Sequence, residues 1–211
     1  MDDKESGMTT APRLPREPLI RHRAGLTGYD MPLDRLMTVD DWHALPESTE
    51  RYELYEGVLI LMPPPDLVHQ DVALALAVAM RAAARNSGGA VNIAPTGVAL
   101  SSTIGFEPDV LYLSPARMSL RAKRGIDGAP DIVVEVASPR TRRYDLSTKL
   151  PAYFANGVLE VWMADPVAKT VSVYFADEPN APLTVPFGAP IPSKILDVRN
   201  ADLDDLPPTP E

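Results

Sequence analysis

At 211 residues the chain is long enough for one domain with a sizeable core and short for two. Its 45% apolar and 23% charged residues are ordinary for a globular protein, and a net charge of −9 argues against a surface built to coat nucleic acid, while leaving room for a local basic groove. With Cys 0, no disulfide framework or thiolate site exists.

The opening MDDKESGMTT carries no apolar core of a secretion signal. The longest apolar run, Val72 to Met80, falls far short of the ~20 residues that span a bilayer. A cytoplasmic protein with no membrane association is expected. Residues 1–35 are rich in proline and charge and read as a mobile N-terminal arm. Thr38 to Leu45 reads as a short helix, capped by Thr38 with Asp41 three residues on, and packed through Trp42 and Leu45.

Arg51 to Met62 (RYELYEGVLILM) predicts a hairpin turning at Glu56-Gly57. Glu53 is opposite in parity to Tyr52 and Leu54, so strand alternation alone makes it solvent-facing. Pro63-Pro64-Pro65 ends the strand, and Asp66 caps a helix running to about Asn86, stopped by Gly88-Gly89. Its middle, DVALALAVAMRAAA, is apolar nearly all round and predicts a buried helix. His69, in its first turn, reads as a packing or capping residue.

Ala90 to Leu100 supplies one or two strands, and Phe106-Glu107-Pro108-Asp109 leads into another, DVLYL. Pro115 to Gly128 is a helix or exposed loop. Asp131 to Ala137 (DIVVEVA) is an apolar strand holding Glu135. A basic turn, Ser138-Pro139-Arg140-Thr141-Arg142-Arg143, and a small helix follow. Two further strands, Val158 to Met163 and Thr170 to Phe175, join at Asp165-Pro166. The rest is proline-rich, with anchors such as Ile195-Leu196, and 201–211 form an acidic tail. The order predicts one α/β domain over 36–200, a mixed β-sheet flanked by helices, without regular βαβ alternation.

A carboxylate within IVVEVA is costly to bury unless it is paired or bound to a metal. Asp131 shares the parity of Glu135, but four residues at ~3.3 Å separate them by roughly 13 Å. Carboxylates that share one divalent ion must lie within about 5 Å of each other. Asp109 is the better partner: if its strand pairs antiparallel with that of Glu135, the two acids meet. Such a pair has three readings. It could bind Mg²⁺ or Mn²⁺, act as general acid and base on a glycoside, or be structural and neutralised by Arg140, Arg142 and Arg143.

From Arg117 through Lys149 there are eight Lys or Arg against four acids, a positive stretch in a negative chain. It suits a phosphodiester substrate. Lys149 and Tyr153, four apart, share a helix face. A lysine aimed at the acids could steady charge building on a pentacovalent phosphate.

The series YELYEG, His69-Gln70 opening a helix, EPD, GAPDIVVEVASPRTRRYDLSTK and VLEVWMADP resembles the Uma-type restriction-endonuclease family over roughly residues 36 to 200. The resemblance implies the PD-(D/E)XK nuclease fold, a restriction-endonuclease-like core with a four-stranded mixed sheet, and a Mg²⁺-dependent phosphodiesterase site. It implies metal ligation by Asp109, Glu135 and the main-chain carbonyl of Val136. It moves Glu53 from the surface to the site and marks His69 as accessory; Tyr153, on the helix face of Lys149, is a second accessory candidate by its spacing. Ala137 stands where the wider superfamily has lysine, and Lys149 is expected to replace that lysine in space. Pro151 suggests that the helix begins near Ser147 or Thr148, with Lys149 at its start.

The expected function is therefore a divalent-metal-dependent endonuclease on DNA, its catalytic set Glu53, Asp109, Glu135 and Lys149, with Arg140, Arg142 and Arg143 on the nucleic acid. A homodimer would serve cutting of both strands. The alternative is an inactive nuclease fold that binds nucleic acid or protein. A glycosidase would need aromatic platforms that 6% aromatic residues do not supply.

Overall fold

The computed structural model describes residues 35–46 and 50–207. The expected arm lies outside them apart from Arg35, as do 208–211 of the tail. Thr38 caps α1 (Val39–His43) through a reciprocal pair: its hydroxyl accepts from the Asp41 N–H at 3.3 Å, and Asp41 Oδ2 accepts from the Thr38 N–H at 2.7 Å. Trp42, buried beneath α1, donates its Nε1–H to the Tyr52 carbonyl at 2.7 Å and so fixes the helix to the first hairpin.

That hairpin is β1 (Arg51–Tyr55) and β2 (Val58–Met62), with Tyr55 opposite Val58. Glu56 and Gly57 turn at φ 48° and 74°, the left-handed pair that matches strand twist. A Cβ on Gly57 would lie 2.5 Å from Leu36 Cβ, so space as well as φ selects glycine there.

The long helix α2 (Leu67–Ala83) starts where Asp66 accepts from the His69 N–H at 2.8 Å. It is shorter than expected and is not buried all round. Val72, Leu76, Ala77 and Met80 enter the core, whereas Leu67, Leu74 and Val78 are 61%, 60% and 61% exposed. The alanines masked this polarity, since alanine fits either face.

The strands β3 (Ala90–Ile93), β4 (Val98–Ser101), β5 (Ile104–Phe106) and β6 (Val110–Leu113) follow. A 3₁₀ turn at Pro115–Leu120 and a two-strand ribbon, β7 (Arg121–Ala122) and β8 (Gly125–Asp127), fill the segment expected as helix or loop. Then come β9 (Ile132–Val136), the short helix α3 (Arg142–Tyr144), a π turn over Asp145–Lys149, α4 (Leu150–Ala155), β10 (Glu160–Asp165), β11 (Thr170–Phe175) and β12 (Glu178–Pro186).

The strands form two six-stranded mixed sheets rather than a single one: β2-β1-β5-β4-β8-β7 and β12-β11-β10-β9-β6-β3. The chain changes sheets between Ile93 and Val98, where Pro95 lacks the N–H that would carry β3 onward. The strand β12 was not foreseen, because Pro179, Pro182 and Pro186 argue against one. It is an edge strand, where prolines are tolerated. Ala201 and Leu203 pack into the main core, so the packed body continues past position 200.

The second sheet is covered on both faces, which accounts for its unbroken apolar runs. Val110, Tyr112, Ile132, Val134, Val136, Trp162 and Ala164 face α2 and the C-terminal segment. Val133 and Val161 face the opposite way, against Leu150, Ala152 and Tyr153 of α4. Glu135 has the parity of Val133, so the pleat aims it at α4.

Candidate active site

The β6 and β9 strands pair antiparallel with Val110 opposite Val134, which sets Asp109 beside Glu135 at the next step. The expected convergence is present. Asp109 Oδ2 accepts from the Val136 N–H at 2.7 Å, and its Oδ1 lies 2.9 Å from His69 Nε2. His69 thus belongs to the site rather than only to the cap. Asp131, at the far end of the strand, accepts from the Ser114 N–H at 2.6 Å and pairs with Arg117 Nε at 3.3 Å, a structural role.

Lys149 reaches Glu135 from the helix. Its Nζ is 2.6 Å from Glu135 Oε1, 2.9 Å from Glu53 Oε1 and 3.9 Å from Asp145 Oδ1. The Tyr153 hydroxyl donates to the same Glu135 oxygen at 2.6 Å. All five side chains are buried. Solvent exposure of Glu53, the reading from alternation alone, is overturned. Tyr52 and Leu54 pack under α1 on one face of β1, and the other face is covered too. Glu53 Oε1 also accepts from the Glu107 N–H at 3.1 Å. Among the described residues it is a lysine, rather than an arginine, that pairs with Glu53 and Glu135.

The helix does not begin at Ser147 or Thr148. Helical structure starts at Arg142 and runs through to Ala155, so Lys149 lies in mid-helix. Pro151 is accommodated by the π turn before it: the Leu150 N–H bonds to the Asp145 carbonyl, five residues back. The wider turn keeps Asp145, Lys149 and Tyr153 on one side.

Negative charge exceeds positive in this buried cluster. Burial pushes Glu135 well above the usual carboxylate range; Lys149 draws it back, and Asp145, Asp109 and Glu53 push it further up. Burial would lower the Lys149 ammonium, but Glu135 and Glu53 outweigh it and hold the lysine charged. Burial likewise raises Asp145 to about 6.

The acids open onto a cleft of about 400 Å³ lined by Glu53, His69, Asp109, Glu135, Val136 and Lys149 among others. Of the three arginines expected on nucleic acid, only Arg140 lines it. Arg142 is exposed and pairs with Asp165, and Arg143 is exposed beside it. Three groups escaped the sequence reading. Arg51 and Glu107 form an ion pair at 2.9 Å on the cleft wall, and Asp145 backs Lys149. Period-two spacing from Glu53 and Asp109, and helical spacing from Lys149, were the signals for them.

Asp109, Glu135 and the Val136 carbonyl offer oxygen only, the donor set of a hard divalent cation. Among the described residues, no three His, Asp or Glu side chains are spaced to hold a metal as they stand. Glu53 Oε2, however, is buried with no hydrogen-bond partner. A buried carboxylate oxygen left in that state calls for a cation or a proton. In donor type alone, two carboxylates and a carbonyl suit such an ion, and Lys149 shares the surplus charge of the cluster.

Comparison with known proteins bears on the fold and on the family. The crystal structure of a "putative nuclease belonging to DUF820" from Anabaena variabilis superposes with a TM-score of 0.64 at 21% identity, over 80% of this chain and 98% of that one. At that identity the likeness shows the fold alone. No curated protein matches the chain. The model of the Uma2 family, described as "Putative restriction endonuclease", matches residues 39–196, a span that contains every residue of the cluster. The chain belongs to the Uma2 family.

Proposed function

We propose that this protein is a divalent-metal-dependent endonuclease that hydrolyses phosphodiester bonds in DNA. The observation that carries the reading is the meeting of Asp109 and Glu135 across β6 and β9, with Lys149 on Glu135. Asp109, Glu135 and the Val136 carbonyl would hold Mg²⁺ or Mn²⁺. Such an ion supplies Lewis-acid polarisation of the phosphoryl group.

The chain's own groups do the rest. Lys149 and Tyr153 hold Glu135 Oε1 from one side and fix the carboxylate's orientation. Glu53 anchors the lysine from the opposite strand. His69 and the Val136 N–H hold Asp109 in the same way. The Lys149 ammonium, kept charged by its neighbours, offsets charge building on the phosphate rather than removing a proton. Arg140 at the cleft provides a contact for the substrate backbone. No helix among the described residues is long and apolar enough to cross a membrane, and a cytoplasmic enzyme accords with the reading.

Lys149 already neutralises two of the acids, which favours as second reading a nuclease fold that binds without cutting. Calorimetric titration of Mn²⁺ separates the two, run on the wild type, Asp109→Asn and Glu135→Ala, with and without DNA. The enzyme reading expects binding that both substitutions abolish, and plasmid cleavage lost in Lys149→Ala. A folded wild type that binds no metal in either condition would refute it.

A further inference from the structure

The outer face of α2 is a second surface, and the groove between it and β3 runs on to His69 and Asp109. At 100° per residue, Leu67, Asp71, Leu74, Val78 and Arg81 fall within about 80° of arc. They succeed one another at spacings of four and three, the seam of a coiled coil. The three apolar members are about three-fifths exposed. Arg81 is exposed and Asp71 half-buried, and neither has an ion pair among the described residues. Beside them β3 is an edge strand whose Ile93 is 54% exposed, and Ile93 and Leu74 line one groove.

We propose that this face pairs with the same face of a second copy, the two α2 helices antiparallel about a two-fold axis at the level of Leu76. The charge pattern selects both the partner and the direction. Antiparallel pairing at that level sets Leu74 beside Val78 of the other copy, and Asp71 beside its Arg81, each contact made twice. Parallel pairing would bring Asp71 to Asp71 and Arg81 to Arg81. A patch that complements itself in this way is what an isologous contact requires.

One helix face with a strand edge lies at the small end of stable interfaces, so a dimer in the micromolar range is expected. In the nuclease reading, the two His69 ends stand roughly 21 Å apart along the helix direction, at 1.5 Å rise per residue. They are related by a two-fold axis, as cutting both strands of a duplex calls for. The dimer itself does not depend on that reading.

Sedimentation equilibrium of the full chain across a micromolar concentration series tests it. The wild type should dimerise. Leu74→Glu, at an exposed position, and Asp71→Arg, at a half-buried one, should weaken association at least tenfold while circular dichroism shows the fold unchanged. The charge swap Asp71→Arg with Arg81→Asp should restore the dimer. Overturning results are a wild type that stays monomeric, as it would if residues 1–34 covered the face, a dimer that survives Leu74→Glu, or a swap that restores nothing. Loss of metal binding or cleavage in another assay would leave all these outcomes unaffected.

Discussion

Replacing Lys149 with methionine removes the ammonium that lies between Glu53 and Glu135 and keeps the volume nearly constant. Lys149 is 1% exposed, and its Nζ lies 2.9 Å and 2.6 Å from the two carboxylates. Taking one partner from a buried ion pair costs about 3–5 kcal/mol, because the remaining charge is stranded. Here two are stranded, so the upper part of that range is expected near neutral pH. For a domain of this size each kcal/mol lowers Tm by about 2–4 °C, so a loss of about 4–5 kcal/mol is a fall of roughly 8–20 °C. The chain has two tryptophans, Trp42 and Trp162, both buried, so urea unfolding followed by fluorescence reports directly on the core.

The loss should depend on pH. Without the lysine, which draws it down, the folded-state value of Glu135, already raised by burial, rises further above that of the unfolded chain. Protonation then favours the folded form, and stability returns as pH falls through the raised value. The deficit should be largest at pH 8 and clearly smaller at pH 5, while Glu53→Gln in the same chain recovers part of it. A loss below about 1 kcal/mol, or one equal at both pH values, would refute the assignment of Lys149 as the charge that makes the cluster tolerable.

Two further outcomes follow from the same cluster. Tyr153→Phe removes a fully buried hydroxyl that donates to Glu135 at 2.6 Å and should cost about 1.5–3 kcal/mol, whereas Tyr144→Phe removes a buried hydroxyl with no partner and should cost nothing or stabilise. Equal losses by urea unfolding would contradict the bonding assigned to Tyr153. Asp145 rises from 3.8 to about 6 in the folded state, so between these values the native protein keeps a proton that the unfolded chain has released. Stability should fall by up to about 3 kcal/mol as pH rises across that window, and Asp145→Asn should flatten the slope. An unchanged slope would remove Asp145 from the set of titrating groups.

Local chemistry was legible in the sequence. The Thr38–Asp41 cap, the Glu56-Gly57 hairpin and the Asp66 cap each depend on a few neighbouring residues, and each formed as expected. The meeting of Asp109 with Glu135 was also legible, since antiparallel pairing of two strands is a statement about register, and register follows parity. The rejection of Asp131 needed only the rise per residue.

Burial of Glu53 and the placement of Lys149 were decided by the tertiary structure. Alternation along β1 says which residues share a face but not what covers the other face, and Lys149 at the end of the π turn does so from nearly a hundred positions away. The π turn before Pro151, the division into two sheets and the strand built from prolines depend on neighbours that no short window contains. The alanine-rich helix is the plainest case: its sequence was apolar enough to be buried on every side, and only the sheet beneath it determined which side was left exposed.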